Sequence, residues 1–160
     1  MIGWENFFIA EVGASAALTG LIFVGVSINL TRILTFPRLP SRALLALILL
    51  FTILIVSSLL LVPGQTLMLA GTEVLIAGLV VWTIATIIDV RILQKTDPQY
   101  RRSFAVNMVL TQLAVLPYII AGITILVIGA AGLYWLVPAV LFSFIKALLD
   151  AWVLLIEINR

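Results

Sequence analysis

The chain has no cysteine and no histidine. Without thiolate or imidazole ligands, ordinary haem, iron–sulfur, copper and structural zinc sites are excluded. Cysteine nucleophiles and histidine bases are excluded with them, and cysteine usage says nothing about redox compartment. Charge is also scarce. Only 10% of residues are charged, against ~25% in an ordinary soluble domain, while 64% are hydrophobic. Such a chain cannot cover its surface with polar groups, so its solvent is lipid. With 160 residues given almost wholly to apolar runs, no room is left for a soluble catalytic domain. A net charge of +2 and a pI near 9.4 do not imply nucleic acid, because the basic residues flank the apolar runs.

Five runs are long enough to cross a bilayer: about 4–34, 41–62, 66–93, 103–128 and 133–158. Each exceeds the ~20 residues that span ~30 Å of hydrocarbon at 1.5 Å per residue. The breaks have mechanisms. Phe36-Pro37-Arg38-Leu39-Pro40 and Asp97-Pro98 interrupt helices through proline, which lacks a donor and restricts the residue before it. Pro63-Gly64 predicts a tight turn, and Gly129-Ala130-Ala131-Gly132 a short link that folds the fourth and fifth spans into a hairpin. No repeat or linker divides the chain, so residues 1–160 read as a single transmembrane helical domain.

Basic residues orient these spans. Arg32, Arg38 and Arg42 flank the first connection, Arg91, Lys95, Arg101 and Arg102 the third, and Arg160 the end; the second and fourth connections have none. Lys146 aside, every basic residue therefore falls on one side, which the positive-inside rule makes cytoplasmic. The expected fold is an all-α integral membrane protein, a five-transmembrane-helix bundle with its N-terminus outside and C-terminus cytoplasmic. Trp4, Tyr134 and Trp135 then lie near the outer interface, and Tyr100 and Trp152 near the inner one. Ala14-Ser15-Ala16 mimics a signal-peptidase site, but no basic region precedes it and the apolar run follows it, so the first span is expected to be retained.

Two faces carry the candidate functional residues. On the first span, Gly13, Ala16, Ala17, Gly20 and Ser27 share one ~100° arc, and the small-xxx-small pairs within it let helices approach closely in lipid. That face packs against another helix of the same subunit, or else forms a subunit interface or pore lining. Beside it run Glu11, Ser15 and Thr19, with Asn29 further along; Glu11 reads as interfacial. On the fifth span, Ser143, Lys146, Asp150 and Glu157 fall within ~60°. A lysine near mid-span costs ~2.5–3.5 kcal/mol on insertion scales and so faces a partner or a wet cavity.

The fourth span offers a matching face of Asn107, Thr111, Ala114, Tyr118 and Gly122, with Pro117 expected to kink it. Asp89 on the third span lies at a comparable depth. Lys146, Asp150, Ser143, Asn107, Thr111 and Asp89 are therefore the candidate polar cluster. Its two readings are a register-fixing ion pair, with Asp89 neutralising Arg91 or Lys95, and an ion or proton path. No Ser–His–Asp set, metal box or phosphate loop is present, so no enzyme, metal or cofactor is expected.

The stretch Trp4-Glu5-Asn6-Phe7-Phe8, continuing through Gly13-Ala14-Ser15-Ala16-Ala17-Leu18-Thr19-Gly20-Leu21 to Val26-Ser27-Ile28-Asn29-Leu30, resembles a group of small bacterial multi-span membrane proteins. Some of these are labelled modulators of the FtsH membrane protease. The resemblance covers the first quarter of the chain, implies a multi-pass protein of the bacterial inner membrane, and supplies no catalytic residues. Two functions are then expected. The first is a homo-oligomeric channel or small-solute carrier, with a polar path along the fifth span and a pore more naturally formed between protomers. The alternative is a non-catalytic accessory subunit of a larger membrane complex. The partners expected are the lipid bilayer, further copies of the chain or a larger membrane protein, and no nucleic acid.

Overall fold

The computed structural model describes residues 3–36, 39–94 and 101–158, with side chains for all of these except 101–103 and 157–158. Among the described residues most are helical and none lies in a strand: α1 (Glu5–Ile28), α2 (Leu30–Thr35), α3 (Leu39–Leu60), α4 (Leu67–Gln94), α5 (Arg101–Ile128) and α6 (Leu136–Ile158). Four helical stretches are long and apolar enough to cross a membrane: Glu5–Ile28, Leu39–Leu60, Leu67–Gln94 and Phe104–Ile156. The last contains α5 and α6, which pack on each other through a 3-10 segment over Gly129–Trp135.

The chain breaks show how sequence becomes backbone. The first apolar run divides at Asn29, which leaves the helical region at φ −104°, ψ 14° and turns its side-chain amide back onto the Gly25 carbonyl at 3.0 Å. An Asx side chain that bonds nearby backbone competes with helix continuation. α3 opens at Leu39, so Pro40 lies in the first turn, where its missing N–H leaves no helix bond unmade. Gly64 and Gly129, at φ +72° and +74°, turn the chain after α3 and after α5 in a region that glycine enters without steric cost. The expected break at Asp97-Pro98 lies outside the described residues. α5 continues through Pro117, and α6 begins at Leu136 because Gly129–Trp135 takes the tighter 3-10 path.

α3, α4, α5 and α6 enclose the core, and α1 lies against α3. The α4–α5 contact is the most extensive, and glycine lets it be close. A Cβ on Gly122 would lie 2.6 Å from the Leu75 backbone, and one on Gly78 would lie 3.0 Å from the Ile119 nitrogen. Where lipid tails are as apolar as leucine, helices associate by such close packing. One core layer gathers Phe8, Val56, Leu60, Val74, Tyr118 and Ile125; a second gathers Leu49, Ile53, Val81, Ala114 and Ala147.

Candidate functional site

The most buried charges lie on α6. Lys146 and Asp150 are each 1% exposed and form an ion pair one helical turn apart. A lone buried charge would lose its hydration, so pairing is the condition for either to sit there. The neighbouring helices bring further polar groups to the same depth. Asp89 of α4, 4% exposed, has the Thr111 hydroxyl of α5 as its hydrogen-bonding neighbour and lies within electrostatic reach of Lys146, Asp150 and Arg42. The Thr111 hydroxyl also lies 3.2 Å from the Asn107 carbonyl, so its single proton serves one acceptor or the other. Arg42, half-buried at the start of α3, sets its guanidinium 5.4 Å from the centre of the Phe104 ring.

Three helices, α3, α4 and α6, thus supply two acids and two bases, a formally neutral group, and α5 adds the Thr111 hydroxyl. One carboxylate oxygen in it, Asp89 Oδ2, is buried and accepts no hydrogen bond. Such an atom costs ~1–3 kcal/mol or more, because it has lost water without replacement.

Polar groups continue along the bundle from this cluster. Ser143, one turn before Lys146 on α6, donates to the Ala114 carbonyl of α5 at 3.3 Å. Its Oγ lies 3.4 Å from the Tyr118 hydroxyl. Tyr118 is fully buried and within electrostatic reach of Glu11 on α1. Glu11 is half-buried, and its Oε2 also lacks a partner. Ser15, buried one turn on, donates to the Glu11 carbonyl at 2.6 Å. The result is a column from Glu11 through Tyr118 and Ser143 to Lys146, Asp150, Asp89 and Arg42, with an unpaired carboxylate oxygen towards each end.

Of the residues singled out from sequence, Ser143, Lys146, Asp150, Thr111 and Asp89 meet in this column. Asn107 is half-buried and takes part through its backbone carbonyl. Asp89 turns into the cluster, while Arg91 is exposed; the side chain of Glu157 and the whole of Lys95 lie outside the described residues. The charged stripe runs inside the bundle of this chain, not along its outer surface.

The small face behaves oppositely. Gly13, Ala16, Ala17, Gly20 and Ser27 are exposed, and a Cβ on Gly13 or Gly20 would meet nothing within 4 Å. Instead α1 turns Phe8, Ser15 and the half-buried Glu11, Leu18 and Ile22 inward, because these larger groups gain more contact against α3 than glycine and alanine would. Comparison with family models, with curated proteins and with solved structures gives no match.

Three polar groups were not singled out as site residues from sequence. Arg42 heads the buried stripe Ala46, Leu49, Ile53, Val56 and Leu60 on α3, a 3.6-residue period that could have marked it as inward-facing. Glu11 falls on the same α1 stripe as Phe8, Ser15, Leu18 and Ile22, which carried the equivalent signal. Gln112 had none. It accepts from Trp82 Nε1 at 2.8 Å and donates to Thr86 at 3.1 Å, on the outer side of α4 and α5. This closes a polar set among side chains where lipid offers no partner.

Proposed function

We propose that the chain is a five-span protein of the bacterial inner membrane, N-terminus outside and C-terminus cytoplasmic, that lets an ion or small solute pass along its polar column. The observation that carries this reading is the polar run from the half-buried Glu11 to the buried Asp89, with an unpaired carboxylate oxygen towards each end. Ionisable groups at this depth by default mark a pathway. A register-fixing pair would need Lys146 and Asp150 alone; it has no use for an Asp89 that keeps one buried oxygen without a hydrogen bond or for Glu11 within electrostatic reach of Tyr118. The orientation is supported by Trp4, whose ring lies 5.0 Å from Tyr134. The start of α1 and the α5–α6 link thus share the end whose connections lack Lys and Arg.

Self-association belongs to this reading through the open Gly13–Gly20 face of α1, which bears the spacing for close helix contact. The test is flux through purified protein in liposomes, comparing wild type with Lys146→Ala, Asp150→Ala and Asp89→Asn at matched protein content. A rate or selectivity that changes with these substitutions supports the path. No flux from folded wild type overturns it.

The same open face favours a second reading, a non-catalytic subunit that docks α1 on a larger membrane partner. The resemblance of the first quarter to labelled protease modulators agrees with that role. Under it, replacing Gly13 and Ala17 by leucine removes the partner and leaves the isolated protein folded.

A further inference from the structure

Between α3 and α4, on the outer surface of the bundle, lies a groove of about 460 Å³ lined by Phe51, Thr52, Leu59, Glu73, Val80 and Ile84 among others. The lining is apolar apart from Thr52 and Glu73, and Thr52 spends its hydroxyl on the Ile48 carbonyl at 2.8 Å. Glu73 is different. Its carboxylate accepts one N–H from the Gln65 side chain and has no ion-pair partner among the described residues. No Lys or Arg occurs from residue 43 to residue 90, so neither helix that forms the groove offers a basic side chain to it at this end. Glu73 thus lines one end of an apolar trough in a chain whose composition suits a lipid solvent.

We propose that the groove holds one acyl chain of a phospholipid whose primary ammonium headgroup is bound by Glu73. Length fits: Glu73 to Ile84 covers ~16 Å at 1.5 Å per residue, about half of the ~30 Å hydrocarbon thickness, and so one leaflet. Depth fits as well, because Leu59, next to the end of α3, lines the same groove as Glu73. Charge selects the head. A primary ammonium brings N–H donors to a carboxylate already oriented by Gln65, giving a charge-assisted hydrogen bond. A trimethylammonium head has no donor, and an anionic head meets like charge with no basic residue nearby. A parallel second copy would present the same Lys- and Arg-free end, leaving Glu73 buried and unpaired, which is costly. The site is independent of the polar column, since Glu73 faces outward from α4 while Asp89 faces the core.

The experiment uses the full chain in nanodiscs of equal parts ethanolamine, choline and glycerol phospholipids, released into mild detergent and weighed by native mass spectrometry. Wild type should retain the ethanolamine lipid over the choline lipid by roughly two- to fivefold, the range of an exposed charge pair. Glu73→Gln should bring the ratio to parity with unchanged helicity, and Glu73→Asp should keep it. A series of mono-, di- and trimethylated ethanolamine heads on wild type alone should lose retention stepwise, which needs no variant to fold. Equal retention of all three lipids, preference surviving Glu73→Gln, or a lipid-free dimer in place of a lipid-bound chain would overturn the proposal.

Discussion

Lys146 and Asp150 illustrate how one residue commits others. Each is tolerable in the core because the other is there, so removing one leaves the other buried without compensation. Lys146→Ala should destabilise the protein by about 3–5 kcal/mol, read as a shifted unfolding midpoint in mixed detergent. The double replacement Lys146→Met with Asp150→Leu should recover most of that loss, since well-packed apolar groups often substitute for a buried pair at little cost. It should not recover flux. Equal instability of the single and double variants would mean that the pair does more than neutralise itself. The pair was legible from the i, i+4 spacing on an apolar helix. The unpaired oxygen of Asp89 was not, because it depends on which groups from α3, α5 and α6 fail to reach it.

At the scale of the element, the glycines separate into two populations. Gly122 and Gly78 let α4 and α5 approach backbone to backbone, whereas Gly13 and Gly20 face open space. Gly122→Ala should cost about 1–3 kcal/mol, the usual penalty for overpacking a tight contact. Gly20→Ala should be neutral or stabilising for the isolated chain, because alanine gains up to ~1 kcal/mol of helix propensity over glycine. Thermal unfolding of both variants in the same detergent checks the contrast; comparable losses would place a partner on α1 even in the purified protein. Helix periodicity shows that Gly13, Ala16, Ala17 and Gly20 share a face, but says nothing about which way that face points. Phe8 decides this by entering the core layer of Val56, Leu60 and Tyr118 and rotating the small residues outward.

For the whole molecule, the proposed topology is open to a direct check because the chain has no cysteine of its own. Single cysteines at Thr66, before α4, and at Thr35, at the end of α2, should react with a membrane-impermeant maleimide from opposite sides: Thr66→Cys in intact cells, Thr35→Cys only after the membrane is opened. Labelling of both from the same side would refute five spans with this orientation. Thr35 and Thr66 are both exposed, so access to either position depends on the membrane alone.

The membrane class, the helical class and most helix ends follow from the sequence by itself. They depend on local quantities: the length of an apolar run, the missing donor of proline, the left-handed turn open to Gly64 and Gly129. The α6 stripe also belongs there, since a fixed 100° step puts Ser143, Lys146 and Asp150 on one side. Only the tertiary structure decided what those faces meet. It enclosed the charges within the bundle, drew Arg42 and Glu11 into line with them, and left the small face of α1 and the Glu73 groove uncovered. These outcomes turn on which helix packs against which, a competition between side chains far apart in sequence. In lipid that competition is settled by close fit and polar pairing, because burial of apolar surface no longer discriminates.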